Sequence, residues 1–294
     1  MGKYYGIDVG GTTIKLGLFS EQGLLEKWEI PTDTSDSGKN IIADIVRALP
    51  GPADAASIGV PGAVLSDGTV NRCVNLGWGV CRPGDEFTAL SGIPCHMCND
   101  ADGAALGEQW LGGGAGFSNV LMITLGTGVG AGFVLNGEIV TGSHGAAGEL
   151  GHICVNPTEE ETCGCGNHGC LEQYCSATGI ARLGKKAGLG DLTAKDIFDL
   201  AAQGDRVATD VVDTACGLLG RGIAMACTVI DPQAVVLGGG VSRAGEFLRI
   251  RVESSFRQYA FHACRETAIR LALLGNDAGI YGNARIAMKL AGAF

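Results

Sequence analysis

The sequence predicts an α/β protein that consists of two related halves with a ligand between them. The stretches "GIDVGGTTIKLGLF" at 6–19 and "ITLGTGVGAGFVL" at 123–135 each combine a buried strand, a glycine turn with Thr and a second alternating strand. A third glycine cluster follows the apolar strand "QAVVL" at 233–237. A chain of 294 residues with 46% hydrophobic content is large enough for two domains.

The first half begins with a predicted antiparallel meander. Alternation of apolar and polar residues indicates three strands joined by short turns, at 4–9, 13–19 and 24–30. The segment 39–49 has apolar residues at helical spacing and is predicted to be a helix. The stretch "AASIGV" at 55–60 is predicted to be a buried strand that ends at Pro61, and the glycine-rich residues 63–92 are predicted to be irregular.

A strand and a helix are predicted to complete the first half. The stretch "IPCHMCND" at 93–100 is typical of a strand that delivers Asn99 and Asp100 to its carboxyl end. The residues "ADGAALGEQWL" at 101–111 are predicted to form the helix that follows. The stretch "GGGAGFSN" at 112–119 is the best linker candidate in the chain.

The second half is predicted to begin with strands and to continue mainly with helices. The pair Asn136-Gly137 indicates a hairpin turn, and helical patterns dominate after residue 178. The stretch "AGIYGNARIAMKL" at 278–290 is predicted to close the chain as a helix. The expected domains are a smaller N-terminal α/β domain at 1–111, which the C-terminal helix 278–294 is a candidate to complete, and a larger α/β domain with a metal-binding motif at 112–277.

The composition excludes several classes of protein. The formal net charge of −10 argues against nonspecific nucleic-acid binding, which depends on clustered Lys and Arg. The N-terminus lacks a basic region followed by an apolar core, and no apolar run approaches the roughly 20 residues of a membrane span. Twelve cysteines without a secretion signal indicate reduced thiols and a metal site. We therefore expect a cytoplasmic protein that binds neither nucleic acid nor a membrane.

The glycine turns do not match the common nucleotide-binding motifs. A Rossmann turn opens a helix, whereas "LGTGVGAGFVL" continues as a strand. The segment 179–186 has Walker A spacing but places Lys186 where Ser or Thr should bind Mg²⁺. A glycine turn between antiparallel strands can still direct backbone N–H groups at a phosphate, the alternative being a tight hairpin without a ligand. The candidate phosphate-binding residues are Asp8, Gly10, Gly11, Thr12, Thr13, Lys15, Thr127 and Gly128.

A carboxylate at the end of a buried strand is a candidate catalytic base. Phosphoryl transfer to a hydroxyl needs a carboxylate that orients the alcohol and accepts its proton. Asp100 follows a predicted strand and precedes a predicted helix, so we expect it at the edge of the sheet. The alternative is that Asp100 only caps that helix.

The segment "GELGHICVNPTEEETCGCGNHGCLEQYCSATG" contains a candidate metal site. Cys163, Cys165 and Cys170 have the spacing C-x-C-x4-C, in which short Gly and Asn loops let three thiolates converge. His152 is preferred as the fourth ligand over His168, which lies inside the cysteine loop. A closed Cys3His set is a structural zinc site, and local disulfides are the alternative.

The chain resembles the ROK family of repressors, open reading frames and kinases over essentially its whole length. The segments "GVPGAV", "NLGW", "NDADGAALGE", "GELGHICVNP", "CGCGNHGCLEQYCSATG" and "GNDAGIYGNA" occur in family order. The resemblance implies a duplicated ribonuclease H-like fold, as in actin, Hsp70 and hexokinase, with two domains and an interdomain cleft. It also implies ATP-dependent phosphorylation of the 6-hydroxyl of a hexose, with glucose as the first candidate, and a homodimer or homotetramer.

The resemblance implies a role for individual residues. Asp100 matches the catalytic base, Asp8 matches a residue that helps to hold the Mg²⁺ of ATP, and the glycine turns contact ATP. The nucleoside is approached by a third turn, formed by Gly238, Gly239 and Gly240. The implied zinc ligands are His152, Cys163, Cys165 and Cys170. The implied sugar contacts are Gly62, Asn75, Asn99, Asp100, Glu149, His152 and Glu172.

Two departures and two alternative functions accompany the resemblance. The family often has "NDANAAA" where this chain has "NDADGAA", so Asp102 adds a negative charge near the phosphates and Gly103 replaces Ala. Cys154 and Cys175 are surplus thiols, expected to be buried apolar fillers. A kinase for N-acetylmannosamine, N-acetylglucosamine, allose or fructose is one alternative. A sugar-responsive regulator is the other, which the acidic charge and the first strand at residue 4 disfavour.

Overall fold

In the computed structural model, which describes residues 2–293, the chain forms two five-stranded sheets, a small two-stranded sheet and flanking helices. The strands are β1 Tyr4–Val9, β2 Thr13–Ser20, β3 Gly23–Pro31, β4 Ala55–Val60, β5 Ala63–Val64, β6 Val70–Arg72, β7 Cys95–Asn99, β8 Val120–Leu125, β9 Val129–Leu135, β10 Glu138–Ile139, β11 Ala234–Gly238 and β12 Ala268–Leu271. The α-helices are α1 Ile41–Arg47, α2 Pro83–Ser91, α3 Asp100–Leu111, α4 Glu172–Cys175, α5 Ala177–Lys186, α6 Ala194–Ala202, α7 Arg206–Ile230, α8 Glu246–Tyr259 and α9 Ala278–Leu290. Met1 and Phe294, which fall in the predicted segments 1–111 and 278–294, lie outside the described residues.

The two large sheets have the same strand order. The first runs β3-β2-β1-β4-β7, with β1, β2 and β3 antiparallel and with β4 parallel to both β1 and β7. The second runs β10-β9-β8-β11-β12, in which β11 is parallel to both β8 and β12. The predicted meander and the predicted duplication are therefore confirmed.

The register of the first sheet brings three strand ends to one edge. Asp8 on β1 lies opposite Gly59 on β4, and Gly59 lies opposite Cys98 on β7. Because parallel strands share the direction of their carboxyl ends, the residues that follow β1, β4 and β7 meet at the same edge. The predicted turn after β1 and the predicted carboxylate Asp100 after β7 therefore lie at one edge of this sheet.

The first sheet is apolar on both faces. Alternate residues of β1 point to opposite faces of the sheet. Tyr5 and Ile7 belong to one hydrophobic cluster with α1 and α2, while Tyr4 belongs to another. That second cluster includes Phe19 and the α9 residue Ile280, so α9 covers the opposite face. Burial on both faces explains why the central strands β1 and β4 have nearly continuous apolar sequences.

The helices α3 and α9 approach each other closely through glycine. A Cβ atom on Gly282 of α9 would lie 1.8 Å from the Gly103 carbonyl oxygen of α3. A Cβ atom on Gly107 of α3 would lie 2.1 Å from the Ala278 carbonyl oxygen of α9. Real side chains do not fit at these distances, so the two backbones can pack this closely only because both positions are Gly.

We expect Gly282→Ala to destabilise the protein by about 1–3 kcal/mol, because the added methyl group forces α3 and α9 apart. Gly217→Ala in α7 is the matched control, since a Cβ atom there has no neighbour within 4 Å. The control is expected to gain up to about 1 kcal/mol from helix propensity. Thermal unfolding followed by circular dichroism measures both, and equal effects of the two substitutions would contradict this packing.

The prediction that residues 63–92 are irregular is wrong for part of this segment. The strands β5 and β6 pair antiparallel, and α2 occupies Pro83–Ser91. The helix has the usual signals at its ends: Pro83 in the first turn and Gly92 after the last turn, with a left-handed φ of 74°. The many glycines in and around α2 make these signals difficult to recognise in the sequence.

The chain divides into two compact units. The first comprises the described residues of Met1–Gly116, Gly132–Ala147 and Leu274–Phe294, and the second comprises Phe117–Ala131 and Gly148–Leu273. This division groups 132–147 with the first unit, whereas the boundaries predicted from the sequence group it with the second. The hairpin turn at Asn136-Gly137 has positive φ at both residues, as a tight antiparallel turn requires, and joins β9 to β10.

Among the described residues, α7 is the one helix whose length and composition would allow it to cross a membrane, although the sequence was expected to contain none. Within the second unit, α7 packs against α6 and α8. The Arg251 guanidinium of α8 donates to Asp213 of α7 at 2.9 Å, and Ser255 donates its hydroxyl to the Gly217 carbonyl at 2.7 Å. These polar bonds and the buried apolar face of α7 are those of a core helix.

Candidate active site

The turn after β1 has a fixed base and an accessible tip. The Gly10 N–H donates to the Thr13 carbonyl at 3.0 Å, and the Thr32 hydroxyl donates to the Gly10 carbonyl at 2.7 Å. Gly11 and Thr12, at the tip, are exposed. The turn therefore has the form expected of a backbone cradle for an anion.

Asp8 lies on β1, directly opposite Lys15 on β2, and is partly buried. Burial and, to a smaller extent, the Asp100 carboxylate raise the pKa of the Asp8 carboxyl to about 6, while the Lys15 ammonium acts in the opposite direction. Lys15 Nζ is held in place because it donates to the Asn276 carbonyl at 2.6 Å. A carboxyl group with a raised pKa beside a second carboxylate favours a bound cation, which would stabilise the ionised form.

Asn99, and not Asp100, caps helix α3. The backbone of Asn99 is extended, and its Oδ1 accepts from the N–H groups of Ala101 at 2.9 Å and Asp102 at 3.3 Å. Asn99 Nδ2 donates to the Gly62 carbonyl at 3.1 Å. Asp100 is the first residue of the helix, and its Oδ1 accepts from the Ala101 N–H at 2.9 Å. The capping role that the sequence left open for Asp100 thus belongs to Asn99, whose amide is bonded at both ends.

Three carboxylates lie around the buried thiol of Cys98. Burial raises the pKa of Cys98 well above the usual value, and the carboxylates of Asp102, Asp100 and Asp8 raise it further, in that order. Asp102 is itself only 5% exposed. Carboxylate oxygens are the donors that Mg²⁺ prefers, so this part of the first unit has suitable chemistry for the Mg²⁺ of a nucleotide.

Gly62 and Asn75 lie in the first unit near these groups. A Cβ atom at Gly62 would lie 2.7 Å from the Arg72 carbonyl oxygen, which leaves no space for a side chain. Asn75 is exposed in a short 3-10 helix, and its carbonyl oxygen lies 4.0 Å from a Cβ atom built on Gly11. The structure therefore places Asn75 beside the turn after β1 and places Gly62 against Asn99.

The second unit has an equivalent turn after β8. The Gly126 N–H donates to the Gly128 carbonyl at 3.0 Å. Helix α5 begins against this turn, because the Ala177 N–H donates to the Gly126 carbonyl at 2.7 Å and the Thr178 hydroxyl donates to the Thr127 carbonyl at 2.5 Å. The side chain of Thr127 is exposed, which leaves its hydroxyl accessible to a ligand.

The third glycine turn lies against the second. Gly238 ends β11, and Gly239 has a φ of 82°, a conformation that favours glycine. A Cβ atom on Gly239 would lie 2.6 Å from the backbone nitrogen of Leu125, the residue before Gly126. Gly240, the last of the three, is exposed. Within the second unit, the turn at 238–240 and the turn at 126–128 therefore form one surface.

The four predicted metal ligands converge. The ligand atoms of His152, Cys163, Cys165 and Cys170 all lie within 4.8 Å of one another. The Cys163 sulfur is 3.9 Å from His152 Nδ1, and the Cys165 and Cys170 sulfurs are 3.6 Å apart. Thiolates bound to one tetrahedral zinc ion at about 2.3 Å lie about 3.8 Å apart. The donor set and its spacing therefore fit zinc, and the cysteines are free thiols in this structure.

His152 connects this cluster to the predicted sugar contacts. While Nδ1 of His152 faces Cys163, its Nε2 lies 3.8 Å from the exposed Glu149 carboxylate. Glu172 Oε2 accepts from the Val129 N–H at 3.1 Å, and its Oε1 lies 3.5 Å from the Cys163 sulfur. The second unit therefore brings Glu149, His152 and Glu172 into contact with the metal cluster or with each other.

An ion-pair network that the sequence did not reveal supports the cysteine loop. Arg182 of α5 pairs with Glu159 at 2.8 Å and with Glu161 at 2.8 Å, and its guanidinium lies over the Tyr174 ring. The Tyr174 hydroxyl donates to Glu159 at 2.7 Å. These bonds lower the pKa of Glu159 to about 2, with Arg182 the main cause. The network anchors the chain just before Cys163 to the helices that follow it.

We expect Glu159→Gln to lose about 1–3 kcal/mol of stability at pH 7, because the Gln amide cannot replace the charged partner of Arg182. A lowered folded-state pKa means that the carboxylate stabilises the fold above its usual pKa of 4.5 and that this contribution falls towards pH 2. The difference in free energy of unfolding between the wild type and the variant should therefore have its largest value at pH 7 and become smaller below pH 4.5.

Urea unfolding at several pH values tests this expectation. The exposed neighbour Glu160 provides the control, and Glu160→Gln should match the wild type at every pH. A difference between Glu159→Gln and the wild type that does not change with pH would contradict the proposed ion pair.

Comparisons with known proteins cover nearly the whole chain. The ROK family model matches residues 4–290. A glucokinase from Halalkalibacterium halodurans is 42% identical over 306 aligned positions, which cover 95% of this chain and 93% of that protein. The ROK hexokinase from Thermus thermophilus aligns with a TM-score of 0.89 at 31% identity, covering 99% of this chain and 100% of that one. A ROK family glucokinase from Streptomyces griseus, solved with glucose and AMPPNP, aligns with a TM-score of 0.80 at 33% identity, covering 98% and 100%.

Proposed function

Because this chain belongs to the ROK family, we propose that it is a sugar kinase that transfers the γ-phosphoryl group of ATP to the 6-hydroxyl of a hexose, with glucose as the preferred substrate. The glucokinase from Halalkalibacterium halodurans and the Streptomyces griseus complex with glucose and AMPPNP support this assignment. The structural observation that carries the proposal is the pair of carboxylates Asp8 and Asp100, at the carboxyl ends of β1 and β7.

Asp100 is proposed as the general base. Its carboxylate accepts the proton of the sugar 6-hydroxyl as the hydroxyl oxygen attacks the γ-phosphorus and the bond to ADP breaks. Asn99 supports this role, because its side chain caps the N-terminus of α3 and fixes the backbone on either side of Asp100. The Asp100 side chain lies in the first turn of α3, directly after the end of β7.

ATP is proposed to bind with Mg²⁺ at the glycine turns. Mg²⁺ neutralises the charge that develops on the phosphates, and Asp8 would hold it with the help of the neighbouring carboxylate. The backbone N–H groups of Gly11 and Thr12 and the hydroxyl of Thr127 are the proposed phosphate contacts. The turn formed by Gly238, Gly239 and Gly240 is proposed for the nucleoside. Gly10, Thr13, Gly128 and Lys15 complete the proposed set.

Zinc is proposed to hold in place the side of the sugar-binding site that is formed by Glu149, His152 and Glu172. A closed Cys3His site holds a zinc ion that shapes the protein and takes no part in the reaction. The ring of His152 would bind the ion through Nδ1 and direct Nε2 towards Glu149 and a sugar hydroxyl. Carboxylates such as Glu149 and Glu172 accept hydrogen bonds from paired hydroxyls of a pyranose. Gly62, Asn75 and Asn99 are proposed sugar contacts in the first unit.

A coupled ADP-release assay with ATP and Mg²⁺ tests the proposed function. Glucose, mannose, allose, fructose, N-acetylglucosamine and N-acetylmannosamine serve as acceptors, and the zinc content is measured on the same sample. We expect the highest kcat/KM with glucose. A preference for an N-acetylated sugar would keep the mechanism and change the substrate. The absence of turnover with every sugar, in a zinc-loaded protein, would contradict the kinase assignment and favour a sugar-sensing protein.

A further inference from the structure

A buried amide lies directly beneath the two carboxylates of the first unit. Asn283 of α9 is 0% exposed, and both ends of its amide are bonded. Its Oδ1 accepts from the Ser57 hydroxyl at 2.8 Å and from the Cys98 thiol at 3.2 Å, and its Nδ2 donates to the Gly279 carbonyl at 2.9 Å. One side chain therefore joins β4, β7 and α9.

Two glycines create the space that this amide occupies. A Cβ atom on Gly59 would lie 2.7 Å from Asn283 Nδ2, and one on Gly103 would lie 3.0 Å from it. Gly103 is one of the positions where the chain departs from the usual family sequence. A buried polar group that is hydrogen-bonded at both ends and fitted into a small space is costly to change, because a hydrogen bond lost there is not replaced by water.

The same contacts lead to both carboxylates. A Cβ atom on Gly59 would lie 3.6 Å from the Asp100 Cα atom, so the Asp100 backbone and the Asn283 amide both lie against the same side of Gly59. A Cβ atom on Gly279, whose carbonyl Asn283 holds, would lie 2.8 Å from the Asp8 carboxyl carbon. Asn283 therefore holds the Gly279 backbone, which lies against Asp8. It also contacts Gly59, which lies against the Asp100 backbone.

We propose that Asn283 is a positioning residue that sets the placement of Asp8 and Asp100 relative to each other through Gly279 and Gly59. Two carboxylates in close proximity repel each other, so their placement needs a rigid support on the protein side. A hydrogen-bonded amide that joins three elements provides this support. The proposal rests on the proposed function, because it assigns the two carboxylates to Mg²⁺ and to the sugar hydroxyl.

The steady-state kinetics of Asn283→Ala test the proposal. Displacement of reacting groups by about 1 Å lowers rates by up to about 10²-fold, so we expect kcat to fall between about tenfold and 10²-fold. The KM for glucose should change less than kcat, since three of the proposed sugar contacts, Glu149, His152 and Glu172, lie in the second unit, away from Asn283. The KM for Mg·ATP should rise because Asp8 is displaced.

Met288→Ala separates positioning from general stability. Met288 lies on the same helix, is 1% exposed and belongs to the apolar cluster that contains Tyr4 and Phe19. This control should lower the melting temperature and leave kcat unchanged at a temperature where the protein is folded. Equal losses of kcat in Met288→Ala and Asn283→Ala would overturn the proposal.

Ser57→Ala alone provides a second test that does not depend on the folding of Asn283→Ala, and a double-mutant cycle adds a third test if Asn283→Ala is folded. Ser57→Ala removes the donor at 2.8 Å and leaves the amide in place, so we expect a smaller loss of kcat in the same direction. The double variant should be no slower than Asn283→Ala alone, because Ser57 acts through Asn283. Independent, additive losses, or wild-type kcat in both single variants, would overturn the proposal. A wild-type protein without turnover would instead contradict the proposed function.

Discussion

Asp100→Asn is expected to lower kcat by about 10²- to 10⁴-fold and to leave the affinity for the sugar nearly unchanged. The Asn side chain has the size of Asp and can still accept from the Ala101 N–H, so the start of α3 is preserved. What is lost is the group that can take the proton of the 6-hydroxyl. Single-turnover kinetics with saturating ATP, combined with calorimetric titration of glucose, measure the two effects separately.

Asp85→Asn is the matched control for this substitution. Asp85 lies exposed in the first turn of α2, also in the first unit, and its carboxylate pairs with Arg82 at 2.7 Å. The control removes the same charge without touching the proposed site, so its kcat should equal that of the wild type. Substantial residual activity in Asp100→Asn, within about tenfold of the control, would rule out Asp100 as the base.

Cys165→Ser is expected to remove zinc, to lower the melting temperature and to weaken sugar binding by more than about tenfold. Cys165 is exposed, so the substitution does not open a cavity in the core. The loss of the ion should release His152 and the carboxylates beside it, because the bonds from the ion to His152 and to the loop at 163–170 are then lost. Metal analysis, thermal unfolding and glucose titration on the same preparation measure the three effects.

Cys154→Ser is the control for Cys165→Ser. Cys154 was expected from the sequence to be a buried filler, and this expectation is wrong, because its side chain is exposed beside the metal cluster; Cys175 is buried as expected. The control changes an exposed thiol of the same segment that is not among the four converging ligands. It should keep zinc and glucose affinity. Loss of zinc in both variants, or normal glucose binding in zinc-free Cys165→Ser, would contradict the proposal that zinc holds the sugar-binding residues in place.

Many strands of the two large sheets could be predicted from the sequence, because runs such as 4–9, 55–60 and 234–238 are short and apolar and end at Gly or Pro, whereas β12 was not predicted. The repeated strand, glycine turn and strand at 6–19 and 123–135 was sufficient to predict the duplication, which the identical strand orders confirm. The convergence of the four candidate metal ligands could also be predicted, since three cysteines within eight residues are readily brought together by short loops. The roles of the sugar and nucleotide contacts stay predictions.

Other features depend on contacts between distant residues and leave no local signal. Nothing near Asn283 in the sequence indicates that Ser57 and Cys98 will bond to its amide, because these residues meet only after α9 packs on the sheet. The network of Arg182 with Glu159 is hidden for the same reason. The division of capping and catalysis between Asn99 and Asp100 was ambiguous, since either side chain can cap a helix.

The most direct test of the proposed function is the identity of the product. Phosphorus–proton correlation NMR of a reaction with glucose, ATP and Mg²⁺ shows which oxygen carries the transferred phosphoryl group. We predict a single phosphorylated sugar whose phosphorus couples to the two protons on carbon 6, formed by the wild type and about 10²- to 10⁴-fold more slowly by Asp100→Asn. A phosphoryl group on any other oxygen, or formation of the same product at the wild-type rate by Asp100→Asn, would contradict the proposed mechanism.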